Sequence, residues 1–227
     1  MKPTGEKTQK ARLVLVDDHP LVRERLGQLI AQQPDLMVCG ECEDVATCLQ
    51  LLEKAQPDLV IVDLSLKNAH GIELIKDIKA QAPDMRVMVL SMHDESLFAE
   101  RALRAGALGY VTKQESTDVI MTAIRRVLAG EMYLSERMAT QLVGMLLGTR
   151  TPSVSTGSLV GALSDRELEI FQMLGQGQNT RQIAEVLRLD IKTVETYRLR
   201  LKEKLQVETT SEVLQQAVHW VQSGGKP

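Results

Sequence analysis

Between residues 12 and 130, short apolar runs alternate with amphipathic stretches. Five runs read as strands, at 12–16, 36–41, 59–62, 86–90 and 109–111. Three contain unbroken apolar segments, LVLV, LVIV and VMVL. Continuous runs of this kind suit strands buried on both faces, as in a parallel sheet. The segments between them, such as PLVRERLGQLIAQ and SLFAERALRAG, are apolar at i, i+3 or i+4, and i+7. That is the period of a helix with one buried stripe. Pro20 suits a first helical turn, and Asp44 and Ser116 suit N-caps. Five βα units predict an α/β fold, a doubly wound five-stranded parallel sheet over residues 10–130.

The pattern then changes. Residues 131–162 read as a linker containing one helix at 135–147, and 149–161 are rich in Thr, Ser, Gly and Pro. From 163 to 227 the periodicity is entirely helical and predicts a small all-α domain. Ser164 with Glu167 forms a capping box, and Asn179 with Gln182 marks the next helix start. Asp190 and Thr209 begin two more helices.

Composition adds boundaries. The chain has 227 residues, 44% hydrophobic and 25% charged, which supports packed cores of ordinary soluble type. Aromatics are only 3%, so aliphatic residues and Met must build those cores. No apolar run has the length of a signal peptide core or a membrane span, and the expected location is cytoplasmic with no membrane partner. Cys39, Cys42 and Cys48 lack a second Cys/His pair that would complete a metal site, and read as small buried hydrophobes. The net charge of −3 gives no overall nucleic-acid signal. Its distribution does. Residues 191–204 carry five basic side chains (Lys192, Arg198, Arg200, Lys202, Lys204) against two acidic ones (Glu195, Glu203).

In an open parallel sheet, ligands bind beyond the carboxyl ends of the strands. Asp17 and Asp18 follow the first predicted strand, Asp63 the third, Ser91 the fourth and Lys113 the fifth. Five reactive residues from four strands thus meet at one edge. Three carboxylates together repel one another and suit a hard divalent cation such as Mg2+. Phosphoryl transfer needs mainly positioning and charge stabilisation. Asp63 is the candidate nucleophile, with Lys113 supplying positive charge and Ser91 a hydroxyl. An aspartate-based phosphatase would show D-x-D after the first strand, and nucleotide binding a glycine-rich loop there. Neither is present.

VDDHP, VDLSLKNAHG, LSMHD and GYVTKQ resemble the four signatures of the response-regulator receiver domain, across residues 10–130. The resemblance implies a flavodoxin-like sheet and a protein that is not an enzyme in its own right. It implies Mg2+ held by Asp17, Asp18, Asp63 and the carbonyl of Ser65. It further implies a switch in which Ser91 moves toward the phosphoryl group and Tyr110 follows inward, and Gly71 matches the glycine of the loop after the acceptor. Lys67 and Gln114 stand where many receivers have proline.

The segment from Leu163 to about residue 207 resembles the LuxR-type helix-turn-helix of the NarL/FixJ class. Val194, Leu201 and Leu205 recur at helical spacing and should face inward with Ile183, Ala184 and Leu187. Lys192, Glu195, Thr196, Arg198 and Leu199 are left outward, where they can enter the major groove. Thr180, Thr193, Arg200, Lys202 and Lys204 are placed for phosphates. The final stripe of Val213, Leu214, Ala217, Val218 and Val221 suits either core packing or a dimer contact.

The expected function is a DNA-binding response regulator. A sensor histidine kinase phosphorylates Asp63, and this switches homodimerisation and binding to double-stranded promoter DNA. The alternative is a phosphorylation-independent helix-turn-helix transcription factor with a structural receiver.

Overall fold

The computed structural model describes residues 10–67, 69–146 and 159–223. Residues 147–158 of the predicted linker lie outside the described residues. The chain divides into two compact units, one of residues up to Leu66 with Gly71–Ser135, the other of Glu136 onward with Lys67–His70.

The first unit is a five-stranded parallel sheet with helices connecting or following its strands. Its strands are β1 (Ala11–Val16), β2 (Leu36–Cys42), β3 (Leu59–Val62), β6 (Arg86–Ser91) and β7 (Gly109–Thr112). Two further short strands follow β3 in the chain, β4 (Ser65–Leu66) in the first unit and β5 (Ala69–His70) in the second. The main sheet has the order β2-β1-β3-β6-β7, and every neighbouring pair is parallel. The predicted strands are all present, with ends differing by at most one residue.

The continuous apolar runs have the predicted cause. Leu13, Leu15, Leu59, Ile61, Met88 and Leu90 share a core with α1 (Pro20–Ala31) and α5 (Thr117–Leu128), through Leu26, Ile30, Ile120, Ile124 and Val127. Val14, Val16, Val60, Val62, Val87 and Val89 alternate with them and are also buried. Period-two alternation sends these to the opposite face, on the side completed by α2 (Val45–Ala55), α3 (Gly71–Gln81) and α4 (Glu95–Ala105). Pro20 is at the start of α1, and Asp44 caps α2 by accepting from the Thr47 N–H at 2.9 Å. Ser116 is at the N-cap of α5, but its side chain makes no capping hydrogen bond.

Gly71 opens α3 directly beneath the acceptor loop. Its N–H donates to the Leu64 carbonyl at 2.7 Å. A Cβ there would lie 2.1 Å from the Asp63 carbonyl oxygen and 2.8 Å from Leu64 Cα. Both are backbone atoms and cannot rotate away. Gly71→Ala should therefore cost about 1–3 kcal/mol, as overpacked cores do, and should displace the backbone that carries Asp63. Thermal denaturation together with the rate of labelling by a phosphodonor checks this. An unchanged melting temperature and rate would contradict it.

In the second unit, α6 (Glu136–Leu146) occupies the predicted linker helix. A short 3-10 turn (Leu159–Ala162) leads into four helices, α7 (Asp165–Gly175), α8 (Thr180–Val186), α9 (Ile191–Lys204) and α10 (Thr210–Gln222). Both predicted capping boxes form, at Ser164/Glu167 and Asn179/Gln182. Thr209 caps α10 through the Glu212 N–H, whereas Asp190 makes no side-chain cap. Helix α8 ends with Arg188 in the left-handed region (φ 51°), and the Leu189 N–H donates to the Ala184 carbonyl at 2.9 Å. This closure satisfies the last carbonyls of α8 and turns the chain sharply into α9.

Candidate functional site

The carboxyl ends of β1, β3, β6 and β7 bring Asp17, Asp18, Asp63, Ser91 and Lys113 to one edge, as their positions after the strands require. The three aspartates and Ser91 are buried. Lys113 Nζ lies 2.7 Å from Asp63 Oδ2 and 2.6 Å from Asp17 Oδ2. The Lys113 N–H donates to the Ser91 carbonyl at 2.8 Å, which ties the fifth strand's end to the fourth's.

Two charges on one ammonium leave the site rich in negative charge. Burial raises the Asp63 carboxyl above the usual range. The Lys113 ammonium opposes that shift and the Asp17 charge adds to it. Burial alone would lower the Lys113 pKa, but the carboxylates of Asp63 and Asp17 more than reverse this and leave it raised. Lys113 is therefore held as a cation.

The donor set suits a hard divalent ion. Single ligand atoms of Asp17, Asp18, His19 and Asp63 lie within 4.8 Å of one another. Asp63 Oδ1 is buried without a hydrogen-bond partner, an arrangement that is costly unless something satisfies it. Carboxylate oxygens are the ligands Mg2+ prefers.

Two residues of this edge escaped sequence reasoning, although both lie inside the quoted motifs. His19 Nδ1 approaches Asp18 Oδ1 at 2.8 Å and Asp17 Oδ1 at 3.3 Å. His93 Nε2 and Ser65 Oγ lie 2.8 Å apart. Each histidine stands two residues beyond a strand-end polar residue, in VDDHP and LSMHD. That spacing is the signal the sequence carries for them.

Tyr110 is almost fully buried, and its hydroxyl donates to the His93 carbonyl at 3.1 Å. Burial, with the Asp63 charge in support, pushes its pKa well up, so it remains a donor. The inward position that the receiver resemblance implies for Tyr110 after phosphorylation is the one the ring occupies here. A partner for its hydroxyl makes that burial affordable.

In the second unit, Val194, Leu201, Leu205, Ile183, Ala184 and Leu187 are buried as predicted. Lys192, Glu195, Thr196, Leu199, Arg200 and Lys204 are exposed, and Thr180, Thr193 and Lys202 are half-buried. Arg198 differs from expectation. It is half-buried, and its Nη1 donates to Thr180 Oγ1 at 2.7 Å. The side chain crosses from α9 to the start of α8, because a long guanidinium stem packs well along a neighbouring helix. Arg200 lies over the Tyr197 ring at 5.5 Å. Lys204 pairs with the buried Glu167 at 2.7 Å, so it holds the capping box as well as offering charge outward. Of the five α9 side chains expected at the groove, Lys192, Glu195, Thr196 and Leu199 are exposed. In α10, Val213 and Ala217 pack inside with Trp220, while Leu214 is 40% exposed.

Comparison with known proteins agrees with this two-part chain. Residues 13–125 match the response regulator receiver domain, and residues 161–219 match the bacterial regulatory proteins of the luxR family. The transcriptional activator protein ExaE of Pseudomonas putida is 35% identical over 207 residues, covering 91% of this chain and 95% of that protein. The response regulator GacA of Pseudomonas aeruginosa is 34% identical over the same shares. Among solved structures, the RcsB response regulator of Salmonella typhimurium matches 96% of this chain and 100% of its own, with a TM-score of 0.63 at 25% identity. RcsB has also been solved bound to a promoter in the presence of the phosphomimetic BeF3−. That structure matches 92% of this chain and 98% of its own, with a TM-score of 0.56 at 26% identity.

Proposed function

Because the chain belongs to the two-component response regulators with a LuxR-type DNA-binding domain, we propose that Asp63 is its phosphoryl acceptor and that phosphorylation switches its grip on promoter DNA. The observation that carries this is the buried set of Asp17, Asp63 and Lys113, in which one ammonium bridges two carboxylates. A sensor histidine kinase is the donor. An Asp63 oxygen forms a bond to phosphorus as the bond from phosphorus to the kinase imidazole breaks, and the imidazole recovers its electron pair.

The residues divide the work. Asp17, Asp18, Asp63 and the Ser65 carbonyl would hold Mg2+, which supplies positive charge opposite the phosphoryl oxygens. Lys113 brings its positive charge to the acceptor, where it can face the phosphoryl oxygens. Ser91 offers its hydroxyl to a phosphoryl oxygen, and Tyr110, buried with its hydroxyl on the His93 carbonyl, is the aromatic of the switch. Residues 10–130 form the receiver domain, 131–162 the linker, and 163–227 the DNA-binding domain.

In the DNA-binding domain, Lys192, Glu195, Thr196 and Leu199 face base edges, with Glu195 able to accept from a cytosine amino group. Thr180, Thr193, Arg198, Arg200, Lys202 and Lys204 contact or order contacts to phosphates. Arg198 acts there through Thr180 at the start of α8. So modest a positive face implies weak binding by one copy, and a homodimer on a two-fold site multiplies it. Among the described residues no helix is long and apolar enough to cross a membrane. A promoter partner implies work in the cytoplasm.

The test compares binding to promoter DNA with and without acetyl phosphate and Mg2+, while following oligomeric state. Tighter binding and dimer formation with the donor support the switch. Identical binding in both conditions would instead favour a structural receiver. An affinity that does not fall as salt rises would remove DNA binding itself, since phosphate contacts release counterions.

A further inference from the structure

His19 is fastened twice to the acidic pair that precedes it. Pro20 follows it, and the residue before a proline is held to extended backbone. His19 obeys, with φ −96° and ψ 105°. From there its main-chain N–H donates to Asp17 Oδ1 at 2.8 Å. Its ring turns the same way, with Nδ1 2.8 Å from Asp18 Oδ1 and 3.3 Å from Asp17 Oδ1.

These are the spacings of ligands that share one ion. Bonds of about 2.1 Å from an octahedral ion set neighbouring ligand atoms about 3.0 Å apart and opposite ones about 4.2 Å apart. The two nitrogen-to-oxygen distances bracket the first value. Single atoms of Asp17, Asp18, His19 and Asp63 all lie within 4.8 Å of one another, close to the second. The three aspartates are more than nine-tenths buried, and Asp63 Oδ1 has no hydrogen-bond partner. Lys113 takes the Oδ2 atoms of Asp17 and Asp63, so their Oδ1 atoms face the remaining space. The donor set there is not oxygen alone. Carboxylate oxygens suit Mg2+, whereas an imidazole nitrogen suits later first-row ions such as Ni2+ and Zn2+.

We propose that His19 is a metal ligand that widens the choice of ion at the acceptor edge. A later first-row divalent ion would be held by its imidazole nitrogen together with the aspartate oxygens, and Mg2+ by oxygens without it. The ligating ring is neutral, with its proton on Nε2. With the ring bound, one coordination position fewer is open to a phosphoryl oxygen, so the identity of the ion becomes an input to the site. The proposal rests on this edge holding a divalent cation.

The untagged full chain would be titrated calorimetrically with Ni2+, with Mg2+, and with Ni2+ in saturating Mg2+. The parent is expected to bind Ni2+ more tightly than Mg2+, at a site for which the two compete. Groups that merely orient a ligand are worth about 10–100-fold in metal affinity, so His19→Ala should weaken Ni2+ at least about tenfold and Mg2+ less than about twofold. The side chain is 43% exposed, so the variant should fold, and a thermal melt checks this. Should it not fold, His19→Gln makes the same comparison. A ring acting only as a positive charge beside the carboxylates would give the opposite result, since its loss would tighten both ions. A ring of purely structural importance would weaken both alike. Either result, or an unchanged Ni2+ affinity, overturns the assignment. Ni2+ that Mg2+ does not displace, or that binds Asp63→Asn as tightly as the parent, is held elsewhere and overturns it too. A parent chain that binds no Mg2+ removes the cation site and the proposal together, which distinguishes that failure from the failure of His19 alone.

Discussion

Asp63→Asn is expected to take no label from acetyl phosphate, at Mg2+ concentrations that label the parent fully. The amide keeps the size and shape of the carboxylate but has no anionic oxygen to attack phosphorus. The fold should survive the change. Asp63 is buried, and the charge on it is opposed by its surroundings, as its raised pKa shows. Neutralising it removes that cost. Lys113 loses one partner but keeps Asp17 at 2.6 Å. The two changes offset, so the melting temperature should move by only a few degrees, the scale of about 1 kcal/mol in a domain of this size. Mass spectrometry of intact protein, beside a thermal melt, measures both. Label at the parental level on the variant would remove Asp63 from its role. Promoter binding by the variant should also become indifferent to the phosphodonor.

Phe171→Ala is expected to unfold the DNA-binding domain. Phe171 lies on α7, is fully buried, and packs against the Trp220 ring of α10 with centroids 5.5 Å apart. Close approach of these helices is also seen at Gly175, where an added Cβ would meet the Ala217 carbonyl oxygen at 2.3 Å. With so few aromatics in the chain, this pair is a large share of the local core. Phe→Ala in a core costs about 3–5 kcal/mol. A domain of about 60 residues has a total stability of only about 3–9 kcal/mol. Binding to DNA should therefore be lost at 37 °C, while labelling of Asp63, which depends on a separate core, continues. Trp220 is the chain's single tryptophan, so its fluorescence reports the unfolding directly. A native emission spectrum and intact DNA binding would show that this contact is not needed.

Both experiments divide the molecule where the sequence divided it. The strands were legible because burial on both faces leaves unbroken runs such as LVIV at 59–62. The acidic edge was legible because a parallel βα fold sends every strand's carboxyl end the same way, so residues 17, 63, 91 and 113 must converge whatever the loops do. Capping at Ser164 and Asn179 was legible because a cap is local, satisfied within three residues. Where local rules left a choice, they could mislead. Ser116 and Asp190 have cap residue types but make no side-chain cap.

By itself, then, the sequence determined the sheet, the four-helix module and the list of polar residues at the strand ends, since periodicity and strand direction act over a few residues at a time. Only the tertiary structure decided what those residues meet. It brought His93 to Ser65, buried Tyr110, sent Arg198 back to Thr180, and pressed Gly71 against the backbone of Asp63. Each of these depends on where a side chain points and how close two loops or helices pass. Those distances are set by packing between segments far apart in the chain, which no local pattern records.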